Sequence, residues 1–332
     1  MDRSTATRGA LAVAILTLVV ALGWVLHDVL GSFAFLGAIQ LALVYAFVGL
    51  GVYLSFRVLD FPDLTVDGTF PLGGAVAAVI ILGDGNPWLA TLAAIAAGSI
   101  AGLITAFLNV RFKILHLLAS ILTMIALYSI NLRIMGQSNL SVRGHDTIIT
   151  PFYDHGLADN IVRPLFLLAM VVVVVIALAW FLSSNFGLGM RAVGTNPKMA
   201  MAQGIRTDAN KYVGMAISNA LVGLAGALYV QTALFTDVGL GIGTIVVGLA
   251  AVIVGESLFR LRWIWVALVG CVLGSIVYRL ALQFALDWDG FCVGSSFCVS
   301  LTASDLNLIT ALLVAAALIL PRIRARRIWG GR

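Results

Sequence analysis

Residues 164–184 read PLFLLAMVVVVVIALAWFLSS, a run without one charged side chain. At about 1.5 Å of rise per residue, this run wound as a helix crosses the roughly 30 Å of hydrocarbon in a bilayer. Water is absent there, so every backbone N–H and C=O must be satisfied within the segment, which a helix does by itself. Working outward, the same pattern recurs along the chain. Apolar segments lie at 8–27, 33–56, 68–83, 88–110, 114–134, 164–184, 212–235, 239–259, 263–286 and 305–321, ten in all. No soluble domain interrupts them, and the alternation of a membrane β-barrel is not seen. The third is short for a full crossing and reads as a short or broken helix. The sequence predicts an all-α polytopic membrane protein, with one transmembrane domain over 1–332.

Composition agrees. Of 332 residues, 61% are hydrophobic and 11% charged, against about a quarter charged in a soluble domain. The net charge of +5 is scattered between spans, which fits topology rather than a nucleic-acid surface. Residues 1–27, with Arg3 and Arg8 before an apolar run, resemble a signal peptide, but the topology uses this run as a first span. Arg111 and Lys113, the group Arg191, Lys198, Arg206 and Lys211, the pair Arg260 and Arg262, and Arg322 to Arg327 then all fall on one side with Arg3 and Arg8. Basic residues mark the cytoplasmic side, so both termini are expected there, in a bacterial inner membrane. The turn 83–87 and the loops 135–163 and 287–304 fall on the other side.

Two segments between spans carry chemistry. In 57–74, RVLDFPDLTVDGTFPLGG, three carboxylates, two prolines and three glycines separate apolar runs. Pro62 and Pro71 each remove a backbone donor and push the preceding residue out of the helical region. A continuous helix through the segment is not expected. The following run reads either as a half-helix beginning at membrane depth, its N-terminal N–H groups suited to an anionic solute, or as a helix after an ordinary loop, capped by Asp67 or Thr69. Composition leaves both open. In 185–205, Asn196 suits an N-cap, Pro197 the first helical position and Gly204 a left-handed C-terminal position. A helix of about two turns is too short to hold alone in water, so it rests on its own bundle or docks into a cytoplasmic partner. Met199 and Met201 offer adaptable apolar contacts. The Gly189-to-Gly194 spacing hints at a phosphate loop, but Thr195 stands where a lysine is required.

These stretches resemble a known family. GLGMRAVGTNPKMAMAQGI (187–205) resembles the glycine- and alanine-rich coupling loop that ABC importer permeases of the branched-chain amino acid and ribose class insert into their ATPase. RVLDFPDLTVDGTFPLGGAVAA (57–78) and GLGIGTIVVGLAAVIVGE (239–256) are similar to a subgroup of uncharacterised amino-acid-type permeases of tryptophan or tyrosine label. The resemblance runs from about Leu41 to Leu261. It implies a permease subunit translocating a small solute, with cytoplasmic ABC ATPase subunits, an extracytoplasmic solute-binding protein and a second permease copy, a homodimer in lipid. Within the coupling loop, 185–211, it implies a docking role for Arg191, Gly194, Asn196, Pro197, Lys198, Met199, Met201 and Gly204. The loop 287–304 does not match the family.

Polar residues inside spans are pathway candidates: Asp63, Thr65, Asp67 and Thr69 at the break, Thr123 and Asn131 on the fifth segment, and Ser218 and Asn219 on the seventh. Interhelical hydrogen bonding is their competing reading. Gly98 with Gly102, and Gly270 with Gly274, have the spacing that lets helices approach closely. Glu256 is placed to pair with Arg260 four residues on. Cys292 and Cys298 fall on the outer side, where a disulfide can form; Cys271 reads as packing. His145, Asp146, Asp154 and His155 match no ligand spacing and read as a solvated loop. No catalytic residue, metal site or cofactor is predicted, with ATP hydrolysis left to a separate subunit. An ion-gradient-driven secondary transporter is the alternative, since it accounts equally well for the hydropathy and the broken third segment.

Overall fold

In a computed structural model of the chain, the apolar runs wind into helices and end where the sequence removes backbone donors or reverses φ. The structure describes residues 33–153, 159–258 and 263–286, with the short segments 291–292 and 298–299. The eight predicted segments within these residues each contain a helix; 8–27 and 305–321 lie outside the described residues. Among the described residues, seven helices are long and apolar enough to span a bilayer, and an eighth, Val66–Leu82, is shorter.

Helix α1 (Phe33–Val52) continues as six π-helical residues, Tyr53–Val58. Residues 42–55 are buried without interruption. A helix apolar on every side belongs at the centre of a bundle. The shorter helix α2 (Val66–Leu82) follows a break, and α3 (Pro87–Phe112) starts where Asn86 accepts a bond from Trp88 N at 2.9 Å, with Pro87 at the first helical position. Then come α4 (His116–Met135), strand β1 (Asn139–Ser141), the single turn α5 (Thr150–Tyr153) and α6 (Asp159–Ser183). Next are α7 (Asn185–Thr195), α8 (Pro197–Ala202), α9 (Thr207–Ala233), β2 (Phe235–Asp237), a 3₁₀ turn (Val238–Gly241), α10 (Thr244–Leu258) and α11 (Ile264–Leu286). Beyond these lie β3 (Phe291–Cys292) and β4 (Cys298–Val299).

Small residues set the helix spacing. A methyl at Gly98 would come within 2.3 Å of the Asn219 carbonyl oxygen, and one at Gly102 within 2.2 Å of that of Met215, so α3 and α9 touch backbone to backbone. Gly274 meets the Ala251 carbonyl in the same way, joining α11 to α10. In lipid, packing of this kind replaces the hydrophobic drive available in water.

Three expectations are refined. The described residues are mainly helical, with two short antiparallel pairs: β1 and β2 pair with Leu140 opposite Thr236, and β3 and β4 pair with Cys292 opposite Cys298. Strands of two or three residues leave no alternation to read, and they let loop backbones satisfy one another. The segment 185–205 holds two helices rather than one. Ser184 caps α7, accepting from Gly187 N at 3.3 Å, so the glycines that suggested a loop lie within a helix. Glu256 is engaged by Arg57; Arg260, its expected partner, lies outside the described residues. Arg57 Nε and Nη2 bond the two Glu256 oxygens at 2.5 and 3.1 Å, joining the end of α1 to α10.

Candidate functional site

The break after α1 is built in stages. Leu59 N reaches back to Leu54 O at 3.1 Å and Phe61 N to Ser55 O at 2.9 Å, longer loops than an α-helix closes. Asp60 then takes a left-handed φ of 53°, and Pro62 has no N–H with which to continue. The chain turns inward at Asp63. One carboxylate oxygen accepts from Thr65 N at 2.9 Å and the other from Asn219 Nδ2 at 2.7 Å. Asn219 Oδ1 in turn accepts from Thr69 Oγ1 at 2.7 Å, and the Thr65 and Thr105 hydroxyls share a bond at 2.9 Å. Asp63, Thr65, Thr69 and Asn219 are all 0% exposed. Asn219 lies twelve residues along α9 from Thr207, roughly 18 Å of helix, so this network sits near the middle of α9.

Helix α2, 17 residues long, has no side-chain cap of its own. Its first turn abuts the start of α10 rather than opening into a loop. The Asp67 carboxylate accepts from Ile245 N at 2.7 Å and Gly243 N at 3.3 Å, N–H groups at the N-terminus of α10. Asp67 therefore caps α10 instead of its own helix, and stabilises it through the partial positive charge there. Pro71 cannot donate to the Asp67 carbonyl four residues back. Gly241 lies against that freed carbonyl so closely that a methyl would stand 1.8 Å from it. Two short helices thus meet N-terminus to N-terminus inside the bundle.

Of the eight pathway candidates, Asp63, Thr65, Thr69 and Asn219 form one cluster. Asp67 holds α10, and Asn131 Nδ2 donates to Gly68 O at 3.1 Å beside it. Ser218 Oγ donates to Gly51 O at 2.8 Å, tying α9 to α1. Thr123 stands apart, bonded to Ala119 O in its own helix at 3.0 Å. Sequence reasoning missed Thr105, whose partner is forty residues away, and Arg279 on α11, whose guanidinium carbon lies 4.5 Å from the Tyr45 ring centroid. An ionisable residue inside an apolar run is itself a legible signal.

The bundle ends differ in charge. At one end lie Arg57, Arg111, Lys113 and Lys211 with α7 and α8; Lys211 Nζ stands 3.5 Å from Asn109 Oδ1, and a cavity of about 940 Å³ is lined in part by Lys113, His116 and Lys211. His116 stacks on Phe61 at 4.2 Å between centroids. The opposite end holds β1, β2 and a cavity of about 730 Å³ between the 83–87 turn and the 144–151 loop. There His145 Nδ1 lies 3.4 Å from Asp84 Oδ1; Asp154 and His155 lie outside the described residues.

At the basic end the capped miniature helix has the expected form. Asn196 Oδ1 accepts from Met199 N at 3.1 Å, Pro197 follows it, and Gly204 has φ 79°. Ala200 is the buried residue of α8, whereas Arg191, Lys198, Met199 and Met201 are exposed. Gly194, at the end of α7, packs on the break: a methyl there would lie 2.0 Å from the Val58 carbonyl oxygen.

A bundle with seven helices long and apolar enough to span a bilayer among its described residues is that of a multi-pass membrane protein. The chain belongs to the family described as the branched-chain amino acid transport system permease component, which it matches over residues 34–320, a permease family rather than an enzyme class. It is 36% identical over 278 residues to the tyrosine transport system permease protein of Clostridioides difficile (strain R20291), covering 83% of this chain and 88% of that protein. It is 29% identical over 168 residues to the guanosine ABC transporter permease protein NupQ of Bacillus subtilis (strain 168), covering 46% and 50%. A solved structure of PsaBC from Streptococcus pneumoniae in complex with Fab is similar at 18% identity and a TM-score of 0.48, covering 89% of this chain and 93% of that one.

Proposed function

We propose that this permease is the membrane subunit of an ATP-driven importer of a small solute, an amino acid or a related compound, working with cytoplasmic ATPases, an extracytoplasmic binding protein and a second copy of itself. The basic end faces the cytoplasm of a bacterial cell, in keeping with the positive-inside rule. Segments 8–27 and 305–321 complete ten spans and bring both termini to that side. The observation that carries the reading is the pairing of two features on one loop. The helix α8 leaves Met199 (49%) and Met201 (55%) exposed at the basic end, while Gly194 rests against the carbonyl that begins the helix break. A partner gripping α8 thereby pushes on the backbone leading to Asp63 and the junction of α2 with α10. Such a junction, packed rather than deformable, suits a two-state element that an external motor biases. The solute passes between permease copies, and Asp63, Asp67, Asn131 and Asn219 fix the helices that shape its path.

Co-expression with a cytoplasmic ABC ATPase partner is expected to yield a stable complex whose ATP hydrolysis drives solute uptake. Uptake by the permease alone, with no ATPase retained, would instead make it an ion-gradient-driven transporter. Cys292 and Cys298, opposite each other in the β3–β4 register, form a disulfide on the outer side in this reading. Maleimide labelling of the two thiols only after reduction is the expected result, and equal labelling without reductant would remove the bond.

A further inference from the structure

Helices α3 and α4 are joined at the basic end by the short turn Lys113–Leu115. Lys113 reverses the chain with a left-handed φ of 56°, and Asn109 Nδ2 holds the turn by donating to Ile114 O at 2.7 Å. Beside it lies the cavity of about 940 Å³, whose lining combines two chemistries. Val110, Ile114, Leu115, Leu117, Leu118 and Ile121 give an apolar wall. Lys113, Lys211 and His116 add basic groups, against Asp208 as the carboxylate of the lining.

The two lysines lack a counter-charge. Among the described residues neither takes part in an ion pair, and Lys211 Nζ reaches the neutral amide oxygen of Asn109 at 3.5 Å. Helix α4 opens at Leu115 without a side-chain cap. Its first-turn N–H groups, which a helix leaves without internal acceptors, belong to the lining residues His116, Leu117 and Leu118 and add partial positive charge.

Depth decides what such a site meets. One apolar span ends at Phe112 and the next begins at His116, so Lys113 stands where greasy helix gives way to polar turn, the level of lipid headgroups. Leu117 and Leu118, in the first turn of the second span, are 50% and 49% exposed, surface of the kind that acyl chains cover. A soluble anion would satisfy the lysines and leave this wall bare, whereas a zwitterionic lipid would cover the wall and leave the charge uncompensated. A phospholipid of net negative charge satisfies both, its phosphate accepting from the ammonium groups.

We propose that this cavity binds an anionic phospholipid of the leaflet at the basic end. Lys113 and Lys211 hold the headgroup phosphate, and the Leu115–Ile121 face takes an acyl chain. The inference goes beyond the transport reading and does not depend on the solute.

The test titrates phosphatidylglycerol, or phosphatidylcholine with the same acyl chains, into the delipidated full-length permease in an uncharged detergent. Native mass spectrometry counts the bound lipid. Wild type is expected to bind phosphatidylglycerol at least about tenfold more tightly than phosphatidylcholine. Lys113→Gln and Lys211→Gln are each expected to weaken that binding about fivefold, the share of one lysine at an anionic surface. Lys113→Arg and Lys211→Arg are expected to keep it, which separates a lost charge from a lost fold. Arg133→Gln, in the last turn of α4, is expected to leave it unchanged, and glycerol 3-phosphate at the same concentration to displace nothing. Equal affinity for the two lipids, or wild-type affinity in both glutamine variants, overturns the proposal. An equal loss in Arg133→Gln overturns it by making the attraction diffuse, and displacement by glycerol 3-phosphate by assigning the lysines to a soluble anion. Binding by the monomer but not by the dimer overturns it by giving this face to a second copy. Recruitment of an ATPase by the same preparation tests the transport reading separately, so either reading can fail alone.

Discussion

Asp63 and Asn219 stand 156 positions apart in the chain and 2.7 Å apart in the fold. Their bond is directional: the amide donates and the carboxylate accepts. Asp63→Asn sets an amide against the Asn219 amide or the Thr65 N–H, and is expected to cost about 1–3 kcal/mol for the unsatisfied buried group. Asn219→Asp sets two carboxylates face to face and costs at least as much. The exchange Asp63→Asn with Asn219→Asp restores a donor facing an acceptor, and Thr69 can still donate to residue 219. Thermal unfolding in detergent is expected to show the double variant more stable than the sum of the two losses, the mark of a direct contact. Simple additivity would mean that the pair does not interact. By contrast, Glu256→Gln removes a pair in which the Arg57 side chain is 61% exposed, so its effect on unfolding is expected to stay below about 1 kcal/mol.

At the scale of elements, two glycines of the coupling loop do different work. Gly204 has φ 79° and open space around its Cα, so Gly204→Ala meets only backbone strain of about 1 kcal/mol. Gly194 has no such φ, but a methyl there meets the Val58 carbonyl at 2.0 Å, and α7 must move off the helix break. Gly194→Ala is therefore expected to uncouple ATP hydrolysis from uptake while leaving membrane insertion intact, with Gly204→Ala the milder of the two. Equal transport per ATP in Gly194→Ala and wild type would remove the proposed linkage. Gly241 is the corresponding contact at the junction of α2 with α10. Gly241→Ala places a methyl 1.8 Å from the Asp67 carbonyl and must part α10 from α2. A loss of about 1–3 kcal/mol is expected, read as a lower unfolding temperature of the purified permease.

For the whole molecule, the charge asymmetry of the bundle and the position of α8 make one joint prediction. Lys198 is expected to react with a membrane-impermeant amine reagent in inside-out vesicles and to be protected in intact cells. Labelling in intact cells would put the coupling loop beyond the reach of any cytoplasmic ATPase.

Helices α1, α3, α4, α6, α9, α10 and α11 were legible in the sequence because hydropathy is a local property: each span satisfies its own backbone and needs no partner to be recognised. The Asn196–Pro197–Gly204 helix was legible for the same reason, since a cap acts within a few residues. The break at Pro62 could be placed, but not what fills it. Asp67 caps a helix 178 positions away, Glu256 takes an arginine 199 positions away, and Arg279 finds Tyr45 across the bundle. These pairings depend on which helix faces lie together, and the uniformly apolar spans leave that undetermined. Only the close backbone packing of the folded chain selects among them.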